Sequence, residues 1–414
     1  MMHLANEILI DVLPGEIKVA ILEERKLVEV YAEKRSQERM LGNIYKGKVL
    51  NILPGMQAAF VDIGFSKNAF LYVNDAVYED YPEAEDDGHR DKDNTIKKNC
   101  NIKEILTKGQ EITVQVVKEA VGNKGPRITT QITLPGRYLV LLPRTDYLGV
   151  SRRIEDESER NRLKKIAEKI KPQNMGLIVR TAAQGKGEDD FLKDLEFLLK
   201  LWDTIRQNEA RVRAPKCLHT DYNLFYKTLR DFFTPDIDRL VVNNQQKYEE
   251  ALDYVAMISP SLKDRIVFFE RRGSLFEYYG INYELQKTFQ RKVWLKSGGY
   301  IIIDHTEALT VIDVNTGKYT GANDLENTVL KTNIEAADEI GRQLRLRDIG
   351  GIIIIDFIDM KDQEHKNMVI EKLKNVLKKD RAKTTVVGMT GLGLIEMTRK
   401  KIGFGSVNVQ NQID

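Results

Sequence analysis

Cysteine is scarce in this 414-residue chain, which contains only Cys100 and Cys217. The two residues lie far apart and form no CxxC pair, so the sequence argues against a disulfide framework and against a complete cysteine zinc site within one chain. The five histidines are scattered, without an HExxH or a comparable pair. A zinc hydrolase is therefore not favoured.

Long apolar runs are also missing. No run approaches the roughly 20 residues that a membrane helix requires, and residues 1–14 lack the basic start and extended apolar core of a signal peptide. We therefore expect a cytoplasmic protein without a membrane segment. A charge excess is missing too, because 64 Lys and Arg residues oppose 62 Asp and Glu residues and leave a net charge of +2. This balance neither supports nor excludes a nucleic-acid partner.

The length of the chain and the changing periodicity along it predict several domains of mixed type. Residues 6–33 are rich in β-forming side chains separated by turns, and residues 42–134 alternate short strands with glycine in the manner of a small OB-type barrel. A polar acidic segment over 77–101 is predicted to be a loop inserted in that barrel. Residues 291–400 combine apolar strands with amphipathic helices, which predicts an α/β unit.

Two predicted strands of this α/β unit end in an acid, Asp313 and Asp356. Ligand sites gather at the carboxyl ends of strands in open α/β sheets, and Asn315, two residues after Asp313, shares its strand face. Two carboxylates and one amide oxygen form a hard oxygen site that suits magnesium, although any one of these acids taken alone is more often a strand or helix cap. Asp359 is predicted to face away from the pair and to cap the next helix.

Aromatic residues on the predicted barrel point to a surface for single-stranded nucleic acid. Phe60 and Phe70 lie on successive strands, with Tyr45 nearby, and Lys124 follows in a loop that could reach a phosphate. OB-type barrels bind single strands by stacking bases on such rings beside cations. Phenylalanine is more often a core residue, however, and composition alone does not decide between the two interpretations.

Taken in order along the chain, these segments resemble the ribonuclease E/G family over about residues 6–402. Long runs in a fixed order are far more specific than any short motif. The stretches that carry the resemblance are residues 43–48, 58–64, 176–181, 306–315, 333–340, 342–348 and 355–360.

The resemblance implies a multidomain α/β plus all-β fold in which an S1 barrel of OB type is inserted in an RNase H-like domain. The implied divisions are an RNase H-like domain over 1–37 and 227–290, an S1 RNA-binding domain over 38–130, a 5′-sensor region over 131–226, a DNase I-like catalytic domain over 291–400 and a C-terminal tail over 401–414.

The resemblance also assigns roles to single residues. Asp313 and Asp356 match the family's magnesium ligands and Asn315 matches their supporting asparagine, which makes these three the catalytic candidates. The S1 aromatics and lysine match Phe60, Phe70 and Lys124, and the 5′-monophosphate pocket matches Arg180 and Thr181, helped by the backbone around Gly136 and Val140. An arginine beside a hydroxyl is a good anchor for a terminal phosphate; without the resemblance, a surface salt bridge would be the preferred interpretation of Arg180.

The function so implied is a magnesium-dependent endoribonuclease that cleaves single-stranded RNA, prefers 5′-monophosphorylated ends, leaves 5′-phosphate products and acts in the maturation of rRNA precursors and the turnover of mRNA. A non-catalytic S1-type RNA-binding protein and a DNA nuclease are the competing interpretations. The intact Asp313, Asn315 and Asp356 argue against the first. The barrel and the predicted end sensor argue for RNA over DNA.

One departure from the family pattern concerns zinc. Family members usually carry a CPxC-type cysteine pair soon after the stretch that matches residues 395–400, where it shares a zinc ion between two protomers. Residues 401–414 contain no cysteine. Zinc binding therefore stays open, as does a homo-oligomer, and the chain resembles the short, G-type members most.

Overall fold

The computed structural model describes residues 5–34, 40–76, 101–120, 124–221, 223–271, 273–317 and 325–402. The predicted acidic loop, except its last residue, lies outside these ranges, as does the predicted tail from residue 403 onward. The chain forms two compact units. The first unit contains residues 1–35, 235–253 and 261–414, and the second unit contains residues 36–234 and 254–260.

The strands of the described residues, numbered in chain order, are β1 (Glu7–Leu13), β2 (Glu16–Glu23), β3 (Lys26–Lys34), β4 (Ile44–Leu53), β5 (Ala58–Asp62), β6 (Ala69–Tyr72), β7 (Glu111–Lys118), β8 (Arg127–Thr129), β9 (Leu134–Pro135), β10 (Leu139–Leu142), β11 (Leu148–Val150), β12 (Gly176–Val179), β13 (Lys216–His219), β14 (Arg239–Val242), β15 (Ile266–Phe268), β16 (Lys292–Trp294), β17 (Tyr300–His305), β18 (Leu309–Asn315), β19 (Gly351–Asp356), β20 (Thr384–Met389) and β21 (Ile395–Arg399).

The α-helices of the described residues are α1 (Val73–Ala76), α2 (Ile102–Ile105), α3 (Glu157–Ile170), α4 (Glu188–Arg211), α5 (Leu224–Lys227), α6 (Gln245–Ile258), α7 (Leu275–Tyr278), α8 (Ile281–Thr288), α9 (Leu325–Leu346) and α10 (Gln363–Leu377). Short 3-10 turns occupy Pro54–Met56, Thr181–Ala183 and Pro260–Arg265, and one π-helical turn occupies Thr228–Phe232. Among the described residues, no helix is both long enough and apolar enough to cross a membrane.

The first sheet of the first unit joins the beginning of the chain to a much later segment. Its order is β15-β14-β1-β2-β3. Strands β1, β2 and β3 form an antiparallel meander, and β1 pairs in parallel with β14. The predicted turns lie between these strands, with positive φ angles at Gly15, Glu24 and Arg25.

The second sheet of the first unit has the order β16-β17-β18-β19-β21-β20. Strands β18 and β19 are parallel, because the long helix α9 connects them, and the other pairs are antiparallel. One face of the sheet is apolar and packs against α9 and α10 through buried residues such as Ile312, Ile353 and Leu344. Alternation along each strand directs the intervening side chains to the opposite face.

The second unit contains a small barrel. Its sheet has the order β13-β4-β5-β6-β8-β7, and β4 also pairs with β7, so that β4, β5, β6, β8 and β7 form a closed ring of five strands. Strand β13 adds to β4 outside this ring. The prediction of a mixed α/β protein that includes a small closed β-barrel is confirmed.

The second unit also holds a smaller sheet of order β11-β12-β10-β9, which α3 and α4 cover with apolar side chains. The side chain of Asp156 caps α3 by accepting a hydrogen bond from the backbone N–H of Ser158 at 2.9 Å. The amphipathic pattern of the sequence predicts helices over 155–170 and 189–211, and the helices found begin and end within two residues of those limits.

Candidate active site

The predicted acids meet at the ends of two neighbouring strands. Asp313 on β18 and Asp356 on β19 are register partners in the parallel pair. The side-chain amide of Asn315 donates a hydrogen bond to Asp313 Oδ2 at 2.8 Å, so Asn315 shares the face of Asp313 as its spacing predicts. Asp356 is exposed, and Asp313 and Asn315 are half-buried. Two carboxylates and one amide thus lie together at the carboxyl ends of two neighbouring strands, where solvent can reach them.

The nearby carboxylates change the pKa of Asp356. Partial burial raises its pKa, and the negative charges of Asp313 and Asp359 raise it further. Like charges held close together disfavour one another's ionisation, and a cation between them would relieve the repulsion.

Asp359 differs from its prediction. The prediction assumed that the strand continues past Asp356, but β19 ends there and the chain turns. Asp359 therefore lies close enough to Asp356 to raise the pKa of its carboxyl group. The cap of the next helix, α10, is instead Asp362, which accepts from the backbone N–H of Glu364 at 2.8 Å.

The turn after Asp356 is held by a residue to which the sequence had assigned no role. Asn333, a fully buried residue of α9, donates its amide to the carbonyl of Ile358 at 2.9 Å and accepts from the N–H of Ile358 at 3.1 Å. A buried polar side chain in the middle of an amphipathic helix is the sequence signal that could have found it.

No group of three or more His, Cys, Asp and Glu side chains that could hold a metal ion occurs in the part of the chain that the structure describes. The Asp313, Asn315 and Asp356 cluster has a different composition, with two acids and an amide. Such a small set suits an ion that retains several waters, which is the usual habit of magnesium in proteins.

The two barrel phenylalanines lie outside the core. Phe60 on β5 and Phe70 on β6 are cross-strand partners, and their rings meet edge to face with centroids 6.0 Å apart. Both are half-buried, whereas their strand neighbours Ala59 and Leu71 are fully buried in the barrel core. The interpretation of Phe60 and Phe70 as core residues is therefore wrong.

Lys124 is exposed. It lies near Phe70, because the carbonyl of Pro126, two residues later, accepts a hydrogen bond from the backbone N–H of Phe70 at 2.8 Å. Tyr45, expected near this surface, is instead buried in the barrel core, where its ring packs edge to face on Phe65. Closure of β4 against β7 turns alternate β4 side chains inward, which strand alternation alone could not specify.

Arg180 and Thr181 follow β12, at the point where the strand gives way to a 3-10 turn. The guanidinium of Arg180 donates to the carbonyl oxygen of Gly136 and forms an ion pair of 2.8 Å with Asp231. Thr181 Oγ1 lies 3.0 Å from Ser151 Oγ. Arg180 and Gly136 are therefore brought together, whereas the hydroxyl of Thr181 contacts Ser151. Arg180 also has the salt bridge expected without the family resemblance.

Asp231 and its charge balance were not predicted. Burial alone would raise the pKa of its carboxyl group, but Arg180 and Arg230 together hold that pKa below its ordinary value. Asp231 is thus an anion shared by two arginines. Nothing local in the sequence links it to Arg180, because the contact depends on the packing of the π-helical turn.

The backbone beside Gly136 already holds an anion of the protein itself. The buried carboxylate of Asp194 accepts from the N–H groups of Arg137, Tyr138 and Leu139 at 3.0, 2.8 and 2.9 Å. A Cβ atom at Gly136 would lie 2.5 Å from Asp194 Oδ2, so only glycine fits there. These three amides are therefore occupied, and Val140, half-buried on β10, lies just beyond them.

Comparisons with known proteins identify the family of the chain. The model of the Ribonuclease E/G family matches residues 133–402. Ribonuclease G of Escherichia coli (strain K12) is 43% identical over 395 residues, which cover 95% of this chain and 80% of the relative. Ribonuclease G of Haemophilus influenzae is 43% identical over 397 residues, covering 96% and 80%. Ribonuclease E of Nostoc sp. is 41% identical over 397 residues, covering 93% and 56%. The chain belongs to the ribonuclease E/G family.

Proposed function

We propose that this protein is an endoribonuclease of RNA processing and decay that cleaves single-stranded RNA with magnesium held by Asp313 and Asp356. One observation carries the proposal: the two acids are register partners with Asn315 beside them, in a chain that belongs to a ribonuclease family. Precursors of rRNA and mRNA are the proposed substrates, and the cytoplasm is the proposed location.

The residues fit a magnesium ion. Partial burial and the negative charges of Asp313 and Asp359 raise the pKa of Asp356, so a cation at this position would be favourable, and oxygen atoms are the donors that magnesium prefers. When bound, the ion would supply activation of water and neutralisation of the charge that develops on phosphorus. Hydrolysis would leave a 5′-phosphate and a 3′-hydroxyl.

The chain's own residues would position the reacting groups. By occupying one oxygen of Asp313, Asn315 fixes the carboxylate and leaves its second oxygen for the ion. Asn333 holds the turn after Asp356, which keeps that carboxylate beside Asp313. In this arrangement Asp313 and Asp356 are the ligands, Asn315 orients a ligand, and Asn333 is a positioning residue.

The barrel would guide the strand as an S1 domain. Phe60 and Phe70 lie side by side outside the core and offer ring surface to bases, and the exposed Lys124 could contact a phosphate. We further propose that residues 1–37 with 227–290 form an RNase H-like domain and that residues 291–400 form a DNase I-like catalytic domain.

Recognition of a 5′-monophosphate is proposed for Arg180 and Thr181. Asp231 and the carbonyl of Gly136 orient the guanidinium, and Thr181, the next residue in the chain, contacts Ser151 through its hydroxyl. A terminal phosphate would have to share Arg180 with Asp231, since the ion pair is already formed. The N–H groups held by Asp194 are not available to the phosphate.

The test is incubation with one 5′-monophosphorylated single-stranded RNA, with magnesium and with EDTA. We expect endonucleolytic cleavage only with magnesium, and loss of cleavage with retained RNA binding in Asp313→Asn. RNA binding without cleavage in every condition would favour the non-catalytic RNA-binding protein. Equal cleavage of a DNA strand of the same sequence would favour the DNA nuclease.

A further inference from the structure

A second cluster shares a sheet face with the carboxylate pair and has no role in the function proposed above. It consists of Lys292 and Trp294 on β16 and Tyr300 on β17. The two rings meet at 67° with centroids 5.4 Å apart. Lys292 Nζ lies 4.0 Å from the centroid of the Trp294 ring and 3.6 Å from that of Tyr300. An aromatic pair joined to a cation is the combination that binds bases of single strands.

The strand register places this cluster beside the acids. Trp294 is opposite Tyr300, and Tyr300 is opposite Asn315. Side chains of directly opposite residues project from the same face, and neighbouring strands lie about 4.8 Å apart. The rings therefore begin one strand away from Asn315 and extend to the edge strand β16, in line with the site at which the phosphate would be held.

Exposure distinguishes this face from the core face. Trp294 is 63% exposed, whereas the other tryptophan of the chain, Trp202, is 4% exposed. Trp294 and Tyr300 together form a contiguous ring surface, and contiguous exposed apolar patches mark binding sites more often than single exposed rings do. Ile301 and Ile303, which alternate with Tyr300 along β17, are buried on the opposite face.

The cluster is also held rigidly. Glu335 of α9 accepts hydrogen bonds from the backbone N–H groups of Lys296 and Ser297 at 2.6 and 3.1 Å, which fixes the turn between β16 and β17. Gly299 in this turn lies so close to β18 that a Cβ atom would be 2.8 Å from the carbonyl oxygen of Asn315. The rings and the carboxylate strand are thus positioned together.

We propose that Trp294 and Tyr300, with Lys292, form a stacking site for one base of the single-stranded RNA, next to the phosphate whose cleavage is proposed at Asp313 and Asp356. The proposal rests on the proposed function and adds a determinant of where the strand is cut. Lys292 gives the cluster the positive charge that a polynucleotide requires. Two rings are also too small a surface for a stable protein interface, which buries about 1,200 Å² or more.

Tryptophan fluorescence of the cleavage-inactive Asp313→Asn protein provides the first test. A 5′-monophosphorylated single-stranded RNA should quench the signal, because Trp294 is exposed and Trp202 is buried. The quench should vanish when Trp294→Leu is added, and Kd should rise at least about fivefold, the lower limit for loss of one base–aromatic stack. Trp294→Phe, which retains a ring, should recover most of the affinity.

Tyr283→Leu is the matched control. Tyr283 is 64% exposed with Lys287 Nζ 4.3 Å from its ring centroid, but it lies on helix α8 and not on this sheet. Its substitution should leave Kd unchanged. Unfolding curves of the variants, which should coincide with that of the parent, separate a binding effect from a folding effect.

Abasic RNAs provide the second test. In a series with one abasic nucleotide moved along the strand, cleavage by the otherwise unsubstituted protein should fall at one position near the cut, and Trp294→Leu should be insensitive at that position. An unchanged Kd with an unchanged abasic profile in Trp294→Leu would overturn the inference. So would a change of oligomeric state in its place, which would identify a surface between copies. Failure of the proposed function differs, because no RNA would then be cut even with Trp294 intact.

Discussion

At the scale of single residues, the crowded acids predict a pH effect. Asp359→Asn removes a negative charge that raises the pKa of Asp356, so that pKa should fall and Asp356 should ionise at lower pH. The acid limb of kcat/KM against pH, measured at saturating magnesium, should shift toward lower pH. Glu364→Gln, at an exposed position on α10, should leave the limb in place. A shift toward higher pH in Asp359→Asn would contradict this account.

The barrel phenylalanines give a second prediction at this scale. Because Phe60 and Phe70 lie outside the core, Phe60→Ala and Phe70→Ala should lower the free energy of unfolding by less than the roughly 3–5 kcal/mol typical of a buried phenylalanine. RNA binding should weaken by about 1–3 kcal/mol for each lost stack. Leu71→Ala, in the barrel core, should show the reverse pattern. Denaturation and RNA titration of the three variants measure both quantities.

At the scale of elements, α9 carries the residue that sets the turn after Asp356. Asn333→Ala removes both hydrogen bonds to Ile358 and leaves a backbone N–H and C=O without their partner. The expected loss of stability is about 1–3 kcal/mol for each unsatisfied group. Cleavage should fall as well, and added magnesium should restore part of it, because a displaced Asp356 weakens metal affinity.

Lys331→Ala is the control on the same helix. Lys331 is exposed, and alanine is the best helix former, so stability and the magnesium requirement should not change. If Asn333→Ala destabilises the protein but leaves the magnesium requirement at the value of the unsubstituted protein, Asn333 supports the fold without positioning Asp356.

Local patterns predicted these elements well where the pattern had a single outcome. The turns at Gly15 and Glu24 and the acids at the ends of β18 and β19 depend on neighbouring residues only. The prediction that Asp359 faces away from the pair was wrong because the end of a strand depends on what packs beyond it, here Asn333 of α9. The prediction that Tyr45 lies near the nucleic-acid surface was wrong for a related reason, since closure of the barrel decides which face of β4 is inside.

At the scale of the whole molecule, the contacts between segments that are distant in the sequence were not predicted. Arg180 pairs with Asp231, and Asp194 fills the backbone amides beside Gly136. Neither contact has a local signature, because each depends on how α4 and the π-helical turn pack on the small sheet. The sequence identified the residue types of the proposed 5′ pocket but not the charges that surround them.

End recognition is the prediction that involves the whole molecule. Arg180→Ala should slow cleavage of 5′-monophosphorylated RNA and leave 5′-hydroxyl RNA nearly unaffected, because a charge-assisted hydrogen bond is worth about 1.5–3 kcal/mol. Arg180→Lys keeps the charge but loses the two-pronged geometry, so it should be intermediate. Cleavage rates of one sequence with both ends provide the measurement.

Melting temperatures separate this role from a structural one, because Arg180 also neutralises Asp231. If Arg180→Ala slows cleavage of both RNAs equally and lowers the melting temperature, Arg180 has only a structural role through its salt bridge. If the unsubstituted protein cleaves both ends at one rate, the sensor is absent.

The register pairing of Asp313 with Asp356 implies a compromise between activity and stability. A carboxyl group whose pKa is raised by folding destabilises the folded state at every pH above that raised value, and the penalty disappears below the pKa of the unfolded chain. In EDTA at neutral pH, Asp356→Asn should therefore melt at a higher temperature than the unsubstituted protein. Magnesium should raise the melting temperature of the unsubstituted protein alone. The inactive variant should therefore be the more stable protein only in the absence of the ion.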